Sequence, residues 1–147
     1  MNPKMLGVLT AASLMISCGG GGGGAAAAAC TTSGNTVNLG GSVVGNYTAS
    51  FGISPAFGGV VGVSFNNSSL NFIGYANYAN LKYIVDVGAV SCLESIGAWT
   101  GGTATAAAFT AGHGYILKYS NGVSTEYARF IAESYSNGIA RITWAYP

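Results

Sequence analysis

Few side chains in this 147-residue chain could do chemistry, and their spacing argues against catalysis. His113 is the single histidine. As a general base it would need an orienting carboxylate and a nucleophile. Asp86 and some serine would meet that need by type, but no G-x-S-x-G turn exists to present the serine. Glycoside hydrolysis needs two carboxyl groups facing each other across a sugar. Glu126 and Glu133 stand seven positions apart on one expected strand, so alternation sends them to opposite faces. Asp86 and Glu94 are divided by an expected strand end. The glycine runs at 19–24 and 101–102 lack the lysine and the strand–loop–helix setting of a phosphate loop. Two cysteines far apart and one histidine make a poor zinc set. The sequence therefore assigns no catalytic residue and no metal ligand.

The elements that must position these residues read as β-structure. The C-terminal third is clearest. Residues 114–119 (Gly-Tyr-Ile-Leu-Lys-Tyr) form a strand, and Ser120-Asn121-Gly122-Val123-Ser124 a turn with glycine where positive φ is wanted. In the next strand, 126–133, Tyr127, Arg129, Ile131 and Glu133 alternate with Ala128, Phe130 and Ala132. Ser136-Asn137-Gly138 is a second turn, and 139–146 the last strand. The face carrying Phe130, Ile142 and Trp144 is the expected core side. This three-strand antiparallel meander is expected to close the domain at Pro147.

Upstream, 58–65, 70–75 and 81–90 read as strands, the last rich in β-branched and aromatic residues. Residues 91–96 suit one helical turn, and 103–110 are ambiguous. Segments 34–57 and 97–112 carry no assignment, and no long amphipathic helix appears. The expectation is an all-β domain over 34–147, a small antiparallel sandwich or open barrel.

Composition limits the partners. Only 6% of residues are charged and the net charge is +1, so nothing favours nucleic acid. Half the chain is hydrophobic, which excludes a disordered polar tail. Nine tyrosines, with the Tyr75-Ala76-Asn77-Tyr78-Ala79-Asn80 tandem, suit adaptable contact surfaces, although a small sandwich also uses tyrosine to straddle core and surface.

The N-terminus sets the expected compartment. Lys4 precedes an apolar run at 6–16, eleven residues long and far short of the ~20 that span a bilayer. It suits a signal-peptide core. Met15-Ile16-Ser17-Cys18 follows and resembles the lipobox of bacterial lipoproteins, with Met15 where leucine is usual. That resemblance implies cleavage of 1–17 and lipidation of Cys18, with a diacylglycerol on sulfur and an acyl chain on the new amino group. Several acyl chains would hold stably, because each buried CH₂ contributes roughly 0.8 kcal/mol. Residues 18–33, with the glycine run and Ala25–Ala29, read as a flexible tether. Gly19 after the cysteine favours the outer membrane, again by resemblance. All three methionines leave with the signal, and Lys82, Lys118, Arg129 and Arg141 then balance Asp86, Glu94, Glu126 and Glu133. Two cysteines remain in an exported domain, so a Cys30–Cys92 disulfide is expected, contributing roughly 4 kcal/mol by chain entropy.

A second resemblance lies within residues 112–146. Gly112-His113-Gly114-Tyr115-Ile116-Leu117-Lys118-Tyr119-Ser120-Asn121-Gly122, then Tyr127-Ala128-Arg129-Phe130, then the aromatic last strand, resembles the end of the HmuY-like lipoproteins. It implies an all-β fold on a lipid anchor and capture of haem. Axial ligation uses His, Met, Cys or Tyr, and a chain with one histidine and no mature methionine cannot build a bis-His or His–Met site. His113 with Tyr115 or Tyr119, or a site shared between two protomers, is what this leaves for haem. The expected function is a membrane-anchored, non-catalytic ligand-binding module. The alternative is a structural or adhesive surface protein acting through strand edges and Tyr/Asn contacts.

Overall fold

The computed structural model describes residue 30 and residues 34–146. The expected signal segment 1–17, Cys18 and the expected tether, apart from Cys30, lie outside the described residues. Among the described residues, nine strands make two antiparallel sheets: β1 (Asn35–Gly40), β2 (Asn46–Ile53), β3 (Val60–Asn66), β4 (Asn71–Ala76), β5 (Leu81–Ala89), β6 (Ala106–Ala108), β7 (His113–Ser120), β8 (Thr125–Ser136) and β9 (Ile139–Ala145). One sheet has the order β1-β9-β8-β7-β5 and the other β2-β3-β4-β6. The sheets pack face to face as a sandwich and do not close into a barrel.

The meander is present as β7-β8-β9, with Asn137 (φ 52°) and Gly138 (φ 80°) at its second turn. Two consecutive positive φ values are what a two-residue hairpin with the right twist requires. β9 is not an edge, because β1 returns to pair with it from Asn35↔Trp144 to Gly40↔Ile139. The ambiguous segment 103–110 supplies only the short β6, which crosses to the opposite sheet beside β4. The expected helical turn is a 3₁₀ turn at Leu93–Ser95.

Alternation explains the core. Val61, Val63 and Phe65 of β3 and Phe72 of β4 face Tyr115, Leu117 and Tyr119 of β7 and Ala128, Phe130 and Ala132 of β8, all buried. Ring contacts run through its centre, with Phe72 at 5.2 Å from Phe65 and 4.8 Å from Phe130, and Tyr115 stacked on Phe130 at 4.8 Å. Each such side chain contributes about 1.5–3 kcal/mol by leaving water. Gly62 shows how close the backbones come: a Cβ there would lie 1.9 Å from the Ala49 carbonyl oxygen.

A second, smaller cluster covers the outer face of the five-stranded sheet. Leu93, Ile96 and Ile116 are buried there, packed by Val85, Val87, Val90, Trp99, Ile131 and Ala145. The segment after β5 therefore lies over the sheet, held by Leu93 and Ile96, and carries Trp99 toward the start of β8.

Candidate functional site

The residues expected to bind a ligand do not converge. Tyr115 and Tyr119 share the inward face of β7 with Leu117, and both are fully buried. The Tyr119 hydroxyl donates to the Gly62 carbonyl across the sandwich at 2.6 Å. Burial raises its pKa well above the ordinary value, reinforced by the charge of Tyr146 and opposed by the Gly62 bond. The Tyr115 hydroxyl donates to the Ala108 carbonyl at 2.8 Å and accepts from the Thr110 amide at 2.8 Å. Both phenols thus serve packing, which corrects their expected role as ligands.

His113 sits at the mouth of β7, half-buried. Its Nδ1 lies 2.9 and 3.0 Å from the two Asp86 carboxylate oxygens. An ionised carboxylate only accepts, so Nδ1 carries the proton. Asp86 also accepts from the Gly88 amide at 2.8 Å, where the β5 ladder shifts register and Gly88 takes φ 85°. The pair therefore pins a bulge to the neighbouring strand. It matches the base and orienter that the sequence offered, yet no serine hydroxyl bonds His113 among the described residues. The donor set does not fit haem either, since its two phenols point into the core.

Cys30 and Cys92 are free thiols in the structure, so the expected disulfide is not formed. They are neighbours nonetheless. The two sulfurs and a Glu94 carboxylate oxygen all lie within 4.8 Å of one another. A bond needs about 2.05 Å between the sulfurs, so it would require a small approach of residue 30. Hydrogen bonds from Cys30, then from Ser95 and Ser91, hold the Cys92 thiol below its ordinary pKa, and the same Cys30–Cys92 bond pushes Cys30 up.

A well-formed concavity lies elsewhere, at the end of the sandwich where β8 begins and β9 finishes. It has a volume of about 590 Å³ and is lined by Pro55, Thr125, Glu126, Tyr127, Arg129 and Tyr146, with Ala145. A second hollow of about 270 Å³ adjoins it across Tyr127 and Arg129 and reaches Ala98, Trp99 and Ile116. Tyr127 and Trp99 form one aromatic wall, their centroids 6.1 Å apart, and the Lys118 ammonium stands 5.8 Å from the Trp99 ring centroid. A volume of this size with apolar walls and few polar groups is the usual form of a small-molecule site, which runs from ~300 to ~1,000 Å³.

Glu126 holds the groove's shape. One carboxylate oxygen accepts from the Ala56 amide at 2.9 Å, tying the β2–β3 loop down, and the other accepts from the Tyr146 hydroxyl. Burial pushes the Glu126 pKa up, but hydrogen bonds with Tyr146, the wholly buried Ser54 and the Ala56 amide outweigh it, and the net direction is down. Tyr146 is pushed up to about 12 by burial and by its bond to Glu126. At neutral pH the acid is ionised and occupied and the phenol keeps its proton, so neither is poised to transfer one.

The remaining carboxylates are also engaged. Glu133 pairs with Arg141 at 2.6 Å and accepts from Thr143, on a stretch where β8 shifts register against β9. Arg129 belongs to neither ion pair among the described residues. It stands exposed between the two hollows. Sequence reasoning missed this site. The available signal was the outward parity that Arg129 shares with Tyr127.

Comparison with protein-family models, with curated proteins and with solved structures finds no match. The lipobox and the HmuY-like resemblance rest on the residues quoted for them.

Proposed function

We propose that this protein is an exported, lipid-anchored β-sandwich that binds a small ligand without transforming it, in the groove lined by Tyr127, Arg129 and Tyr146. The observation that carries the reading is the state of the groove's polar groups. Among the described residues, the carboxylate of Glu126 is consumed in holding the walls, while the guanidinium of Arg129 belongs to neither ion pair. Such a site offers recognition and no acid–base pair. The anchor rests on the resemblance of Met15-Ile16-Ser17-Cys18 to a lipobox and the outer-membrane location on Gly19, and we assign the ligand to the groove instead of to His113.

A ligand screen by thermal shift on the detergent-solubilised full-length protein tests this. Hits should lose their stabilising effect in Tyr127→Ala while the unliganded melting temperature is kept. Hits unaffected by Tyr127→Ala, or turnover of any of them, would refute it. Mass spectrometry of the native protein should recover a lipidated Cys18 terminus, and an intact Met1 would remove the anchor.

A second reading, assembly through exposed loops, is favoured by a specific observation. Ile53, Tyr78 and Val123 are 70%, 76% and 93% exposed. All three flank the end of the sandwich reached by the β2–β3, β4–β5 and β7–β8 connections. Concentration-dependent light scattering that disappears in Val123→Asp would support assembly over ligand binding.

A further inference from the structure

We propose that the groove takes a ring with an apolar face and a single carboxylate, the ring lying on Tyr127 and the carboxylate meeting Arg129. This rests on reading the groove as the binding site and names the class of its ligand.

Charge decides first. Asp86 is bonded to His113, Glu133 to Arg141, and Glu126 to the Ala56 amide and Tyr146. Glu94 lies with Cys30 and Cys92, and among the described residues neither ion pair includes Arg129, an exposed guanidinium at the junction of two hollows. It presents five N–H donors in a fork that matches a carboxylate with two parallel bonds. Lys118, against Trp99 on the same outer face, adds a second cation to that region.

Valence comes next. A phosphate dianion is usually met by several cations or by a cradle of backbone amides. Here Arg129 is the only cation among the described residues that line the larger hollow, and the ionised Glu126 lines it too. One negative charge on the ligand is balanced by Arg129, and a second would be repelled by Glu126.

Shape comes last. The walls are the rings of Tyr127 and Tyr146 with Pro55 and Ala145, and the aromatic surface continues to Trp99. Tyr127 is 39% exposed, so part of its surface is available for a ring to lie on. Aromatic faces take the C–H face of a sugar and an aromatic ring alike. The shared chemistry is therefore a carboxylated ring, with a sugar acid and an aromatic acid as its two sources.

NMR titration of the full-length protein in detergent with glucuronate, benzoate, glucose and inorganic phosphate separates the outcomes. Glucuronate or benzoate should shift the signals of Tyr127 and Trp99, and whichever binds names the source. Glucose should bind at least tenfold more weakly than glucuronate if the sugar acid is the source, and phosphate more weakly than the acid that binds. Arg129→Gln should lose at least tenfold in affinity with its melting temperature unchanged, and Arg129→Lys should recover only part. Equal binding of glucose and glucuronate, with no effect of Arg129→Gln, would overturn the carboxylate assignment and leave the groove standing as a site. Tighter binding of phosphate would overturn the single-charge argument. No response of these residues to any of the four probes would overturn both the ligand class and the groove reading.

Discussion

Replacing Tyr119 with phenylalanine separates two roles for the same side chain. The substitution removes one oxygen and keeps the ring, so it opens almost no cavity. What it deletes is the 2.6 Å hydrogen bond from β7 of one sheet to the Gly62 carbonyl of β3 in the other. A buried hydrogen bond contributes about 1 kcal/mol net, and a partner left dry and unpaired raises the cost to about 3 kcal/mol. Gly62 lies in a central strand under a close neighbour, which leaves little room for water to replace the hydroxyl. The expected loss is therefore ~1–3 kcal/mol, near the upper end if the carbonyl stays dry. For a domain of this size the melting temperature should fall by about 4 °C per kcal/mol.

Equilibrium urea unfolding of wild type and Tyr119→Phe measures this directly, with the slope checked for constancy. A ligand role at the surface predicts the reverse pattern, unchanged stability with loss of any haem spectrum. A stability difference below ~0.3 kcal/mol, within the spread of neutral surface changes, would refute the inter-sheet bond as a stabilising element.

The other predictions are shorter. Gly62→Ala should be far worse than a typical overpacking change of ~1–3 kcal/mol, because its Cβ meets the Ala49 carbonyl oxygen at 1.9 Å; insoluble or molten protein by near-UV circular dichroism is expected, and a native spectrum would contradict the packing. Glu126 has a depressed folded pKa, so its contribution is present above the unfolded carboxyl value and lost as pH falls through the folded one; Glu126→Gln should flatten that acid arm of the urea midpoint, and an unchanged arm would count against the clamp. Tyr146 has a folded pKa of about 12 against an ordinary 10.0, so its contribution is present below pH 10 and lost as pH rises towards about 12; Tyr146→Phe should remove that part of the alkaline loss, leaving the share due to the buried Tyr115 and Tyr119. Mild oxidation should join Cys30 to Cys92 within one chain, detected as loss of two titratable thiols and a raised melting temperature, and thiols that stay free under oxidant would show that the approach of residue 30 is blocked.

What could be seen in the sequence follows from how local each determinant is. β7, β8 and β9 declare themselves by alternation and by glycine turns, both short-range signals, and the face carrying Phe130 and Ile142 is buried as that alternation requires. β1 gives almost no such signal, since of its six residues only Leu39 is buried. β6 is three alanines, recognisable only from the strand beside it. The same alternation could have placed the tyrosines correctly. Tyr115 and Tyr119 sit two positions either side of Leu117, so a buried leucine commits both rings to the core and removes them as ligands. The groove required information of another kind. Glu126 becomes a clamp because the Ala56 amide, 70 positions away, arrives beside it, and because β9 delivers Tyr146 to the same point. Arg129 is legible as outward-facing but not as unpaired, because that depends on where every other charge in the fold has gone. Of the four acids, Asp86, Glu126 and Glu133 are engaged with other groups and Glu94 lies with Cys30 and Cys92, so among the described residues no ion pair reaches Arg129. The scarcity of charge that weakened any functional reading of the sequence is thus the condition that isolates Arg129 in the structure.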